Sequence, residues 1–190
     1  MRRRARTGDV VRGLRIVVPA GDAAVAGVAL GSAWALKAFY SAATFDQLRW
    51  ILTPTVWLIG TFMGVPFDLE PHRGYLSRDH LFRVAPACAG VNFMIVAFVS
   101  LCLGLAGEFA TARTRMALVL SSAVAAYAAT VLANAVRIGV AVRLHEAGAS
   151  FGPLTPSRLH CAEGVAIYFL FLLALFAAAV RVAGGRRALA

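Results

Sequence analysis

The sequence predicts an all-α protein, a polytopic helical bundle integral to a membrane, with four to five transmembrane helices. Three observations predict it. Hydrophobic residues fill 60% of the 190 positions, against about half in soluble domains. Only 15% are charged, and most of those fall in a few clusters. Between the clusters lie apolar runs near the roughly 20 residues that a helix needs to cross the hydrocarbon layer. Little chain remains for a second, soluble domain. The organisation read from this is a basic N-terminal arm over 1–20, one transmembrane domain over 21–183 and a basic tail over 184–190.

The first run spans about Ala23 to Ala43 and is interrupted by Lys37. A lysine near a helix end can carry its ammonium to the headgroups, so the span survives it. The second run, about Leu48 to Val65, contains Pro54. Proline is tolerated in a membrane helix when a neighbour satisfies the carbonyl it frees. The stretch Phe67 to Arg83 holds Asp68, Glu70, His72, Arg73, Arg78, Asp79 and His80, too many charges for lipid, so it lies in water. It reads either as a connecting loop or as a lid over a site. The third run starts at Pro86, which suits a first helical turn, and ends near Gly107. A charged turn, Glu108 to Arg115, leads to the fourth run, Met116 to about Arg137, and a mixed segment follows. Gly152-Pro153 and Pro156 break the helix before the fifth run, about His160 to Val180, and Gly184-Gly185-Arg186-Arg187 closes it.

The formal charge is +10 and the pI about 11.0. In a soluble chain this would suggest nucleic acid. Here the arginines flank apolar runs, as membrane topology requires, so membrane lipid and not nucleic acid is the expected partner. Cys88, Cys102 and Cys161 form neither a disulfide framework nor a zinc spacing. His72 and His80 lack a ligand set at standard spacing, and there is no phosphate loop or dinucleotide fingerprint. No metal or cofactor is expected. No cleavage site follows the basic N-terminus, so no cleaved signal peptide is expected.

The unusual polar groups fall at run ends. Cys88 begins the third run, Arg137 ends the fourth and His160 begins the fifth. Consecutive spans alternate in direction, so these three ends share one membrane face. Cys88 and Asn92 are four apart and Asn134 and Arg137 three apart, each pair on one helix face. His160, Gly164 and Tyr168 form a stripe in which Gly164 lets another helix approach. A cysteine in a first helical turn, near a guanidinium, is biased toward thiolate. A thiol nucleophile, an imidazole base and a cationic oxyanion stabiliser are the parts of acyl transfer. Taken singly, each has a plain reading as a small hydrophobe, a topology anchor or a solvated interfacial residue. Cys161, about 100° from His160 around the helix, is assigned to packing.

At these residues the chain resembles the exosortase/archaeosortase family of membrane transpeptidases. Pro86-Ala87-Cys88-Ala89-Gly90 is similar to that family's P-x-C-S-G motif, Asn134-Ala135-Val136-Arg137 to its N-x-x-R and His160-Cys161-Ala162-Glu163-Gly164 to its H-x-x-x-G. The resemblance covers about residues 60–180, and the Lys37-to-Pro54 stretch further resembles the small exosortase K subtype. It implies catalytic Cys88, Arg137 and His160, with Asn92, Asn134 and Gly164 in support. It also implies an inner-membrane enzyme whose site faces the extracytoplasmic side. The implied reaction is cleavage of a C-terminal sorting signal of an exported protein through a thioester, with transfer to an acceptor. Ala89 departs from the family's serine, and the chain is shorter than many members.

Two other classes of function stay open on the residues alone: a small transporter or channel component using Arg137 and His160 as an ion path, and a non-catalytic scaffold. Topology also presents a conflict. With Cys88 outside, two full spans before it would put the Arg-rich N-terminus outside, against the positive-inside rule. The second run, short and holding Pro54, is the one suspected of not crossing.

Overall fold

A computed structural model describes residues 19–78, 82–147 and 156–188, apart from the side chains of 145–146, 156–160 and 186–188. The basic arm, Asp79 and His80 lie outside the described residues. Five α-helices carry the fold: α1 (Ala20–Ala42), α2 (Arg49–Met63), α3 (Val91–Leu105), α4 (Ala112–Glu146) and α5 (Pro156–Ala188). Three short strands, β1 (Phe67–Glu70), β2 (Gly74–Ser77) and β3 (Arg83–Val84), lie between α2 and α3. Four segments are long and apolar enough to cross a membrane: Ala20–Ala42, Pro86–Glu108, Ala112–Leu144 and Cys161–Gly185. The molecule is an all-α membrane bundle with a small sheet at one end.

Among the described residues α2 is too short to be a fifth such segment. Its 15 residues rise about 22 Å, less than the roughly 30 Å of a hydrocarbon core. Its buried stripe, Ile51, Leu52, Thr55, Val56 and Ile59, packs against α4. Trp50 stacks on Tyr127 at 5.8 Å, and thirteen residues later Met63 lies against Gly139. α2 therefore runs alongside the second half of α4 and in its direction. Pro54 removes the N–H that would bond to Trp50, and the Tyr127 hydroxyl donates to that carbonyl instead, at 2.9 Å. At the other end Arg143 donates to the Met63 carbonyl at 2.8 Å, next to Gly64 in a left-handed turn.

Helix directions follow from contacts at the two ends. Arg115, in the first turn of α4, bonds Asp22, in the first turn of α1, at 2.8 Å. The two helices therefore start at one end of the bundle. Lys37, late in α1, bonds Asn92, early in α3, at 2.8 Å, so these two run in opposite directions. α5 runs against α4: Gly164 packs on Arg137 near its start, and Phe176 reaches Gly104 of α3 further along. A buried core, with Leu48, Ile51, Leu52, Val84, Val91 and Ile138 essentially inaccessible, lies at the end where α3 begins.

Several boundaries differ from the sequence reading. In the stretch read as a connecting loop or lid, Phe67–Glu70, Gly74–Ser77 and Arg83–Val84 form a three-stranded antiparallel sheet of order β1-β2-β3. The sheet buries Tyr75 and Val84, and the Tyr75 hydroxyl pairs with Thr53 at 2.6 Å. His72 turns the β1–β2 connection at φ 63° and bonds Asp46 at 2.6 Å. α4 continues as far as Glu146, into the segment read as mixed. The helix is broken before the fifth run, as expected: α4 and α5 are separate, Gly152-Pro153 lies outside the described residues, and Pro156 opens α5, as its lost N–H permits at a first turn. α5 continues past Gly184-Gly185.

Candidate functional site

Cys88 ends a short 3-10 turn, Pro86–Cys88, and is half-buried. Its position departs from the sequence reading. Gly90 adopts φ 70°, a left-handed conformation that ends the turn, and α3 begins only at Val91. Cys88 thus stands just outside the helix and not in its first turn, although still beside the positive end of the helix dipole. Asn92 does not continue a face from Cys88. Its side chain accepts a hydrogen bond from Lys37 instead.

Asn134 organises the site. Its side chain is fully buried on α4. The amide Nδ2 donates to the backbone carbonyl of Cys88. The amide oxygen accepts from the Tyr168 hydroxyl at 2.9 Å and from Arg137 Nε at 3.4 Å. One buried amide therefore joins the cysteine turn, α4 and α5. Its three bonds fix its orientation, because swapping oxygen and nitrogen would set donor against donor.

Tyr168 and Arg137 complete the layer. The Tyr168 ring stacks on Phe93 at 4.9 Å, and the Arg137 guanidinium carbon lies 5.5 Å from the ring centroid. Gly164 accepts the Arg137 chain: a Cβ there would stand 3.2 Å from Arg137 Cδ. Gly90 has the same property opposite Tyr168 and Thr130, at 3.1 and 3.2 Å. Small residues at these two crossings let the backbones close on the polar groups. Cys88, Arg137 and Tyr40 all lie close enough to the Tyr168 hydroxyl to interact with it electrostatically.

Cys88, Asn134, Arg137 and Gly164 are thus gathered at one end of the bundle. Ala89 is fully buried in the core. His160 stands on α5 one turn before Gly164, while its imidazole lies outside the described residues. Comparison with known proteins adds no relative. No family model, no curated protein and no solved structure matches the chain.

One participant was not singled out from the sequence. Tyr40 donates to the carbonyl of Pro86 at 3.4 Å and so touches the cysteine turn from α1. Lys37, three residues earlier, lies 5.6 Å from its ring, and that spacing on a helix was the available signal. Lys37 itself was read as reaching for the headgroups, and it bonds across to α3.

Proposed function

We propose that this protein is a membrane-embedded cysteine transpeptidase or peptidase. It cleaves the C-terminal sorting signal of an exported protein and transfers that protein to an acceptor. The observation that carries the reading is the buried Asn134 amide, which ties the Cys88 turn to Arg137 and Tyr168. A packing cysteine needs no such scaffold, because free cysteines usually pack as small hydrophobes. A nucleophile does need it, since misplacement by about 1 Å can cost on the order of 100-fold in rate.

The chemistry needs three groups. The Cys88 thiolate attacks the carbonyl carbon of the scissile peptide bond, and the carbonyl electron pair moves to oxygen. Arg137 faces that oxyanion with a fixed positive charge. His160 takes the thiol proton and delivers it to the leaving amine as the C–N bond breaks, which leaves a thioester on Cys88. An acceptor amine or hydroxyl then attacks the thioester carbonyl, gives up its proton, and the sulfur departs. The sequence stretches similar to the exosortase/archaeosortase motifs support these roles, residue by residue, at Cys88, Arg137 and His160.

Charge distribution supports an orientation in the inner membrane. Arg2, Arg3, Arg4, Arg6, Arg12 and Arg15 precede α1, Arg113 and Arg115 flank the start of α4, and Arg181, Arg186 and Arg187 end α5. The described ones among these, Arg113, Arg115, Arg181, Arg186 and Arg187, belong to the end of the bundle opposite Cys88. The positive-inside rule then puts that end in the cytoplasm and the site outside. With α2 not crossing, the conflict over the N-terminus disappears.

The test is to replace Cys88 by Ser, Arg137 by Lys and His160 by Ala, and to follow processing of exported proteins that end in an apolar span and a basic tail. Each change is expected to abolish processing while membrane insertion stays normal. A transporter would tolerate Cys88→Ser, and a scaffold would tolerate all three; either result overturns the reading.

A further inference from the structure

Lys37 is a charged residue inside a transmembrane helix, and such residues are costly unless they serve a purpose. Among the described residues no carboxylate pairs with it. Its ammonium donates to the neutral Asn92 amide at 2.8 Å and stands 5.6 Å from the Tyr40 ring. The side chain is exposed on the outer surface of the bundle.

Directly along the same helices from this Lys37–Asn92 rung lies an apolar groove of about 320 Å³. Ala33 and Leu36 of α1, Met94 and Phe98 of α3, and Leu120 and Ala123 of α4 are among its walls. Lys37 is one turn beyond Ala33, and Asn92 is one turn before Ile95, another of the groove's walls. The rung therefore spans the mouth of the groove at the Cys88 end. Leu120 is 60% exposed, so the groove opens sideways to lipid. Its size is at the low end for ligand sites, and a helix some 10–12 Å across is too wide to enter it. A hydrocarbon chain is not.

We propose that this groove is a binding site for one membrane phospholipid, with an acyl chain between α1, α3 and α4 and the headgroup phosphate on Lys37. The two halves of the site match the two halves of the ligand. The apolar walls exclude water along the chain, and the cation at the mouth lies near the membrane surface, where it attracts an anionic headgroup. The second apolar cavity, between α3, α4 and α5, has Ser121 and Ser122 as its polar lining. This site is independent of the proposed peptide chemistry.

The experiment uses the full chain, purified in detergent, stripped of lipid and titrated with phosphatidylglycerol, with occupancy read by native mass spectrometry. Wild type and Lys37→Arg are expected to hold one phospholipid per chain. Lys37→Gln, which keeps a donor for Asn92, is expected to bind at least about fivefold more weakly. Ala123→Phe, which fills the groove, is expected to lose the bound lipid. Diacylglycerol, which has the chains without the phosphate, is expected not to compete. Equal binding by wild type and Lys37→Gln, or full competition by diacylglycerol, overturns the proposal. Should Ala123→Phe fail to fold, the Lys37 pair still decides.

Discussion

Asn134 carries more of the site than any other single side chain. It makes three hydrogen bonds from a fully buried position, and each partner belongs to a different piece of the site. Removing it leaves the Cys88 carbonyl and the Tyr168 hydroxyl without their partner. An unsatisfied buried polar group costs about 1–3 kcal/mol, so Asn134→Ala is expected to melt earlier in detergent by that order and to lose processing. Tyr168→Phe keeps the stack on Phe93 and loses one bond, so its expected loss is smaller, about 1 kcal/mol. Gly90→Ala adds a Cβ within 3.1–3.2 Å of two neighbours at a backbone angle that L-residues avoid at about 1–2 kcal/mol. Thermal unfolding of the three variants checks the order. If Tyr168→Phe proved as damaging as Asn134→Ala, the amide would not be the hub. The residues of this hub were legible from spacing, since Asn134 and Arg137 share a helix face. The detailed position of Cys88 was not. The left-handed Gly90 separates it from α3, and a five-residue motif does not announce that break.

At the scale of elements, the long apolar helices were legible because length and hydropathy alone decide them in lipid. The sheet was not. Its strands have four, four and two residues, so although Phe67, Asp68, Leu69 and Glu70 alternate apolar and charged, the pattern is too short to stand out from a charged loop. The short α2 was legible in part: its length and Pro54 marked it, but Tyr127 as the donor that replaces the lost N–H could come only from the fold. Because α2 follows α4 instead of returning, both of its ends belong to the Cys88 side of the membrane. In a chain whose three cysteines are replaced, Gln47→Cys before α2 and Arg73→Cys after it are expected to react with an impermeant maleimide from one side. Thr111→Cys, before α4, is expected to react only from the other. Labelling of position 47 together with position 111 would mean that α2 crosses.

Over its described residues the whole molecule is a bundle with four segments able to span a membrane, and its two ends differ in character. One end holds Arg113, Arg181 and the Asp22–Arg115 pair that fastens α1 to α4. The other collects the sheet, the α2 ends, Cys88 and the Asn134 cluster. The alternation of spans implied that Cys88 and Arg137 share one end, and Asn134 bonds to both, while the His160 side chain lies outside the described residues. The proposed function turns on whether the sulfur at the second end forms a covalent bond to substrate. Mass spectrometry of the protein isolated from the membranes of cells exporting such substrates tests this most directly. A hydroxylamine-sensitive acyl adduct on the Cys88 peptide, absent from Cys88→Ala, is the expected result. Unmodified Cys88 throughout, with substrate processing intact in Cys88→Ala, would contradict it.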